Sequence, residues 1–557
     1  MPSVYAIADE YVERSAALDP LLATYAGIAG HDHELPDLSA DGFAERAMLD
    51  RVTLAALERA GAPGPREQAA RTAMRERLDL AVERYDAGDT TSQLNVAACE
   101  VSWVRQVFDV MPTDGEEAAV TIARRMTAVP VAYRQLSGTL LGSARGGCRP
   151  ARRQVEEVAR QCAAWVKPGG SCYFSLADRV TGIPDSLRGE LQEAAARASS
   201  ATAELGAFLT RDLLPLARPK DACGPEIYSR ALRYHLGDTV DLAEAYAWGW
   251  AEIARLRSEQ DRVSGLVRPG ATRDEAVAIL DADPARRIEG RENFRAWMQN
   301  LAERTISELH GVHFDIPEPA RRIEAMIAPA GDGGVCYSSP SDDWSRPGQM
   351  WWSVPDGLDS FGTWKEATTV YHEGVPGHHL QVSQTKAEQE NLNRWQRLQW
   401  DSWVSGHGEG WAVYAERLMA ELGYLGDPGA HLGMLGNQLL YAAILVLDIG
   451  LHLELPVPAG ASWREGRGQI WNAELAWPFL RAQSSLEAGR LRFALNCCLG
   501  WPGKSPSYLL GGQAWQQARA DARQRAGKAF SLMEFHASAL RLGPMGLGPL
   551  REALARA

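Results

Sequence analysis

The chain has 557 residues, 45% of them hydrophobic, which exceeds the usual span of one core and implies two lobes or one large helical body. A formal charge of -13 disfavours nucleic acid and anionic membrane surfaces as partners, because both select a basic face. Eight cysteines without a Cys-x-x-Cys pair, and an N-terminus lacking the apolar run of a signal peptide, lead to the expectation of a cytoplasmic protein with free thiols. No run is expected to reach membrane-spanning length.

Apolar residues recur at three-to-four spacing over 43–60, 67–87, 116–143, 151–166 and 184–213, which predicts an antiparallel helical lobe. Turn residues cluster at 61–65, 167–170 and 217–225. The last cluster sets a soft boundary between an N-terminal helical lobe, 1–224, and a second lobe, 225–557. Helical spacing continues over 242–263 and 291–310. Two strands are then predicted, 335–338 and 349–354, around the turn-rich 340–348. The fold class expected is mainly α, a large two-lobed helical fold with a small β-hairpin or sheet. The strand ending Met350-Trp351-Trp352-Ser353-Val354 is a candidate edge for pairing with an extended substrate, or else a cover for the helix that follows.

That helix carries the chemistry. Tyr371-His372-Glu373-Gly374-Val375-Pro376-Gly377-His378-His379-Leu380-Gln381 holds three imidazoles and a carboxylate within eight positions, and Glu409-Gly410-Trp411 follows. Two His and one Glu, with a further Glu beside the first His, are the inventory of a catalytic zinc site. In the usual His-Glu-x-x-His spacing both imidazoles share one helical face. Here Pro376 stands where the second His belongs, so the helix must bulge or bend. His379 shares the face of His372 on an unbroken helix, whereas a bend favours His378. Zinc peptidases with a lengthened motif tend to keep a Gly-His pair, which Gly377-His378 resembles. His378 is therefore the favoured ligand, and His379 stays open as an alternative ligand or an outer contact.

These residues, with Tyr337-Ser338-Ser339-Pro340, Ser345-Arg346-Pro347-Gly348, Glu409 to Glu416, Asp448-Ile449-Gly450-Leu451-His452 and Pro502-Gly503-Lys504-Ser505-Pro506-Ser507-Tyr508, resemble the bacterial family catalogued as domain of unknown function 885. That family is related to zinc metallopeptidases of the gluzincin type, and the resemblance covers nearly the whole chain. It implies a metallopeptidase-like fold and one zinc per chain, held by His372, His378 and Glu409. Two departures stand out. Arginines that precede Asp-x-Gly-x-His in the family are replaced by Tyr441-Ala442-Ala443-Ile444-Leu445, and its Pro-Gly-Gln-Ala reads Pro502-Gly503-Lys504-Ser505 here. Arginine is the preferred bidentate partner of a carboxylate, so its loss points to a specialised substrate.

The expected reaction is hydrolysis of an amide bond by zinc-activated water, with Glu373 as general base and Tyr508 or His452 stabilising the oxyanion. Trp351, Trp352, Arg346 and Lys504 are candidate substrate contacts. Tryptophans around the motif, among them Trp395, Trp400 and Trp403, form core or line an apolar pocket. The expected partner is a small molecule or short peptide, with no nucleic acid and no membrane, and a homodimer is allowed. A different class of function is a biosynthetic enzyme in which zinc acts as a Lewis acid on an amino-acid-derived metabolite. A non-catalytic zinc scaffold fits less well, because structural sites are usually closed by four protein ligands and have no use for a base.

Overall fold

A computed structural model describes residues 2–61, 64–328, 334–355, 357–399 and 401–556. Of the glycine-rich run 331–334 only the last residue lies among them, and Trp400 lies outside. The protein is mainly helical with small sheets, and it divides into two compact units. The first comprises Met1–Glu67, Arg77–Ala222 and Leu499–Trp501; the second comprises Gln68–Glu76, Cys223–Cys498 and Pro502–Ala557.

The first unit is built from helices including Val4–Leu18, Ala40–Arg59, Gly115–Arg145, Arg152–Trp165 and Asp185–Phe208. Ser3 and Ser39 start the first two of these by accepting from the backbone N–H groups of Ala6 and Gly42, which relieves donors that no helical carbonyl can reach. The longest pair packs against each other, with the small residues Ala194, Ala198 and Ala201 buried on one helix and the larger Ile122, Met126 and Val129 buried on the other.

The second unit holds a three-stranded sheet in which Gly348–Trp352 lies in the middle, parallel to Ile323–Ile327 and antiparallel to Val335–Ser338. This corrects the expectation of an edge strand at Met350 to Val354. Both backbone edges of that strand are already paired, so it has no free ladder to offer a substrate. The outer strand on that side is Val335–Ser338. A second, two-stranded sheet pairs Arg287–Glu289 with Ser360–Gly362.

Helix Thr363–Glu373 follows, then His378–Ala387, Ser405–Glu421, Pro428–His452 and Ser507–Ala526. Pro428–His452 is long and apolar enough to cross a membrane, contrary to the expectation that no run would be. Its apolar window is 83% buried inside the protein, as suits a core helix hydrophobic on all sides. Asp427 and Pro428 start it, the Asp427 carboxylate accepting from Ala430 N–H at 2.9 Å.

Candidate metal centre

Residues 371–379 do not form one bent helix. The helix ends at Glu373 and a new one begins at His378, with Gly374 to Gly377 turning between them. A Cβ on Gly377 would fall 1.9 Å from the His372 carbonyl oxygen, so only glycine lets the second helix return this close to the first. Trp411 clamps the turn from the side, its indole N–H donating to the carbonyls of Pro376 at 2.8 Å and Gly377 at 3.2 Å. The sequence predicted a distorted helix, and proline together with two glycines goes further and restarts it.

The return brings His378 beside His372, with ring centroids 4.8 Å apart. Glu409 completes the group, its Oε2 lying 3.5 Å from His372 Nε2 and 3.4 Å from His378 Nε2. The three ligand-type atoms all lie within 4.8 Å of one another. Ligands about 2.0–2.2 Å from a tetrahedral ion are separated by about 3.4 Å, so the carboxylate stands at the right distance from both imidazoles. Two imidazoles and one carboxylate suit zinc and leave a fourth position for water or substrate. These residues could hold such an ion.

Glu409 reaches this point because its helix crosses Ser507–Ala526 at glycine. A Cβ on Gly410 would meet the Gly511 carbonyl carbon at 2.3 Å. That close crossing sets Lys504, on the turn before the second helix, with its Nζ 2.8 Å from Glu409 Oε1 and 4.1 Å from the centroid of the Tyr508 ring. Burial opposes charge on Glu409, but Lys504 and the two histidines hold its carboxyl well below the usual range. Tyr508 in turn stacks on Tyr441, centroids 4.8 Å apart.

Glu373 is buried, and its Oε2 has no hydrogen-bond partner among the described residues. Burial pushes its carboxyl up, against the pull of His378 and His372. Burial makes this carboxylate more basic than an exposed one, which suits a group that accepts a proton beside a candidate metal.

Glu416 was not singled out from the sequence. It is fully buried, and its Oε1 accepts from His372 Nδ1 at 2.7 Å and from the Tyr441 hydroxyl at 3.2 Å, while Gln438 donates to its Oε2 at 2.9 Å. A carboxylate on Nδ1 fixes the ring so that Nε2 faces Glu409. The signal was present: Glu416 follows Glu409 by seven residues, two helical turns on the same face.

Other candidates lie elsewhere. His379 is fully buried, with Nε2 2.9 Å from the Ala320 carbonyl and Nδ1 2.9 Å from the Tyr337 hydroxyl. Both nitrogens are engaged within the protein, and burial lowers its pKa to about 4, so the structure places it in the core and outside the group formed by His372, His378 and Glu409. His452 is also core, its Nε2 2.8 Å from the Cys498 carbonyl and its ring stacked on Tyr228. Its motif acts through Asp448, which accepts from the Tyr228 hydroxyl at 2.8 Å and from Gly503 N–H at 2.9 Å, pinning the turn that carries Lys504. Trp352 is 3% exposed and donates to Glu366 at 3.0 Å, lining a cavity with Lys365 and Arg490. Trp351 faces the opposite side of the sheet, half-buried. Arg346 sits on the turn before the central strand and donates to the Ser339 carbonyl at 3.3 Å.

Among curated proteins no match is found. Two solved structures share the fold. The "putative lipoprotein" of Colwellia psychrerythraea superposes with a TM-score of 0.84 at 20% identity, covering 99% of this chain and 98% of that one. A "putative lipoprotein of unknown function" from Shewanella oneidensis gives 0.71 at 16% identity, covering 99% of each chain. The cytoplasmic expectation is thereby overturned, since both neighbours are described as lipoproteins and an N-terminus read in isolation carried the opposite inference. The family model of "Bacterial protein of unknown function (DUF885)" matches residues 20–554, and the chain belongs to that family.

Proposed function

We propose that this chain is a zinc-dependent hydrolase that cleaves an amide or peptide bond in a small peptide or acylated amino acid, on a two-lobed fold of the gluzincin-like kind. The observation that carries the reading is the convergence of His372, His378 and Glu409 at ligand spacing, with the buried carboxylate of Glu373, its Oε2 without a hydrogen bond among the described residues, next in sequence to the first of them. Zinc held by His372, His378 and Glu409 would supply Lewis acidity toward a substrate carbonyl and would make water acidic enough to ionise near neutral pH. Glu373 takes the water's proton and passes it to the leaving nitrogen. Glu416 holds His372 in orientation, and Lys504 and Tyr508 stand at the Glu409 edge as donors for the charge that develops on the carbonyl oxygen.

The test is turnover by zinc-loaded protein of a panel of short peptides, acylated amino acids and amino-acid-derived metabolites, with Glu373→Gln in parallel. Release of amine by the wild type, slowed at least about 100-fold in a variant that keeps its zinc, supports the reading. Conversion of a metabolite without amide cleavage would favour Lewis-acid biosynthetic chemistry instead, and a fully active Glu373→Gln would remove the base.

A further inference from the structure

Helix His378–Ala387 carries a second unusual group two turns beyond the metal cluster. Lys386 is fully buried, yet its ammonium has no hydrogen-bond partner among the described residues. A desolvated ammonium with no partner is among the least favourable arrangements a core can hold, and it persists where a counter-charge arrives from outside. Around it stand further cations. Asp342 lies 3.4 Å from Arg394 Nε and 3.8 Å from Arg397 Nη1. Arg346 and Arg397 both act on Lys386 as repelling charges, and Asp342 as an attracting one. Arg397 Nε and the indole N–H of Trp395 are likewise buried without partners. The nearest other acid, Asp343, is exposed and satisfied by the hydroxyls of Ser341 and Ser345. Four cations therefore gather around Asp342, whose own Oδ1 is buried without a hydrogen bond, and Lys386 Nζ, Arg397 Nε and the Trp395 indole N–H find no acceptor among the described residues.

The cluster is also connected to the metal centre. Arg346 acts electrostatically on the Tyr337 phenol, whose ring lies 6.5 Å from that of His378. Lys386 follows His378 by eight residues, about 12 Å of helix, and helical side chains lean back toward the N-terminus. The separation matches about three to four residues of extended chain.

We propose that Lys386, Arg346 and Arg397 form a carboxylate-binding subsite that selects substrates bearing an acid group about three to four residues beyond the cleaved bond. The proposal rests on the hydrolase reading of the metal centre. It replaces the arginines missing ahead of Asp448 with a cationic cluster on another part of the second unit. Guanidinium and ammonium together suit a planar carboxylate, which takes a bidentate contact from one and a point charge from the other.

Two measurements separate the subsite from the reaction. First, succinate is titrated into the metal-free full chain by calorimetry, with Lys386→Met and Arg397→Gln in parallel. Binding to the wild type, weakened at least about tenfold in each variant, is the expected result. Second, zinc-loaded protein is offered short acylated peptides as free acids and as amides. The free acid is expected to be preferred by about tenfold or more in kcat/KM, through KM, and the preference is expected to vanish in both variants. Succinate binding that is absent, or unchanged in both variants, overturns the subsite whatever the peptides do. Cleavage of acid and amide alike overturns it while the hydrolase stands. Loss of succinate binding in the variants with no peptide cleaved by any form leaves the carboxylate site standing and removes the hydrolase.

Discussion

Glu416 Oε1 lies 2.7 Å from Nδ1 of His372, and both residues are buried. The bond fixes which nitrogen of His372 is left for a metal, and it raises that nitrogen's basicity. Glu416→Gln keeps the shape but weakens the charge, and a conserved outer contact of this kind is worth about 10–100-fold in metal affinity. Competition of the wild type and Glu416→Gln against a zinc-sensitive chelator measures it. Equal affinities would show that His372 needs no such support.

His378 and His379 adjoin in sequence and diverge in role. His379→Ala removes a side chain bonded at both nitrogens, leaving the Tyr337 hydroxyl and the Ala320 carbonyl short of a partner, and is expected to cost about 2–4 kcal/mol of stability. Its zinc content is expected to stay at one per chain. His378→Ala is expected to show the reverse, a small stability change with zinc lost. Urea melts and elemental analysis on the two variants check the pair of outcomes together.

The helix crossing that delivers Glu409 gives a prediction independent of any reaction. Gly410→Ala drives a Cβ into the Gly511 backbone, which cannot yield as a flexible side chain can. The helices must separate, at a cost of about 1–3 kcal/mol, and Glu409 moves away from both histidines. The variant is expected to melt earlier and to bind zinc more weakly than the wild type. An unshifted melting temperature would mean that the crossing is looser than its geometry states.

Much of the site was legible because metal ligands have few chemical alternatives. His372, Glu373 and Glu409 are read from residue type and spacing, and the helices over 43–60, 116–143 and 291–310 from periodicity. What was not legible depended on tertiary contacts. The order of strands cannot be read from the apolar pattern of Gly348–Trp352, so a central strand passed for an edge. The choice between His378 and His379 turned on whether Gly374 to Gly377 bend a helix or end it, which Trp411 decides from another element. His452 shared a motif with Asp448, but only the second reaches the turn that carries Lys504.

Lys386 gives a pH dependence. Burial lowers its pKa from 10.5 to about 8, so between about pH 8 and 10.5 the unfolded chain holds a proton that the folded chain has lost. Stability attributable to this residue therefore rises with pH across that window, and at neutral pH its buried charge opposes folding by about 3 kcal/mol. Lys386→Met is expected to be more stable than the wild type at pH 7 and to lose the advantage by pH 10.5. Chemical denaturation of both forms at several pH values checks the difference; a constant difference across the window would contradict the assignment.

The most direct test of the account is elemental analysis of the dialysed protein for zinc, with His372→Ala, His378→Ala and His379→Ala run beside it. One zinc per chain in the wild type and in His379→Ala, with none in the other two, is the predicted result. No zinc in the wild type after zinc has been offered, or zinc retained by His378→Ala, would contradict the centre formed by His372, His378 and Glu409.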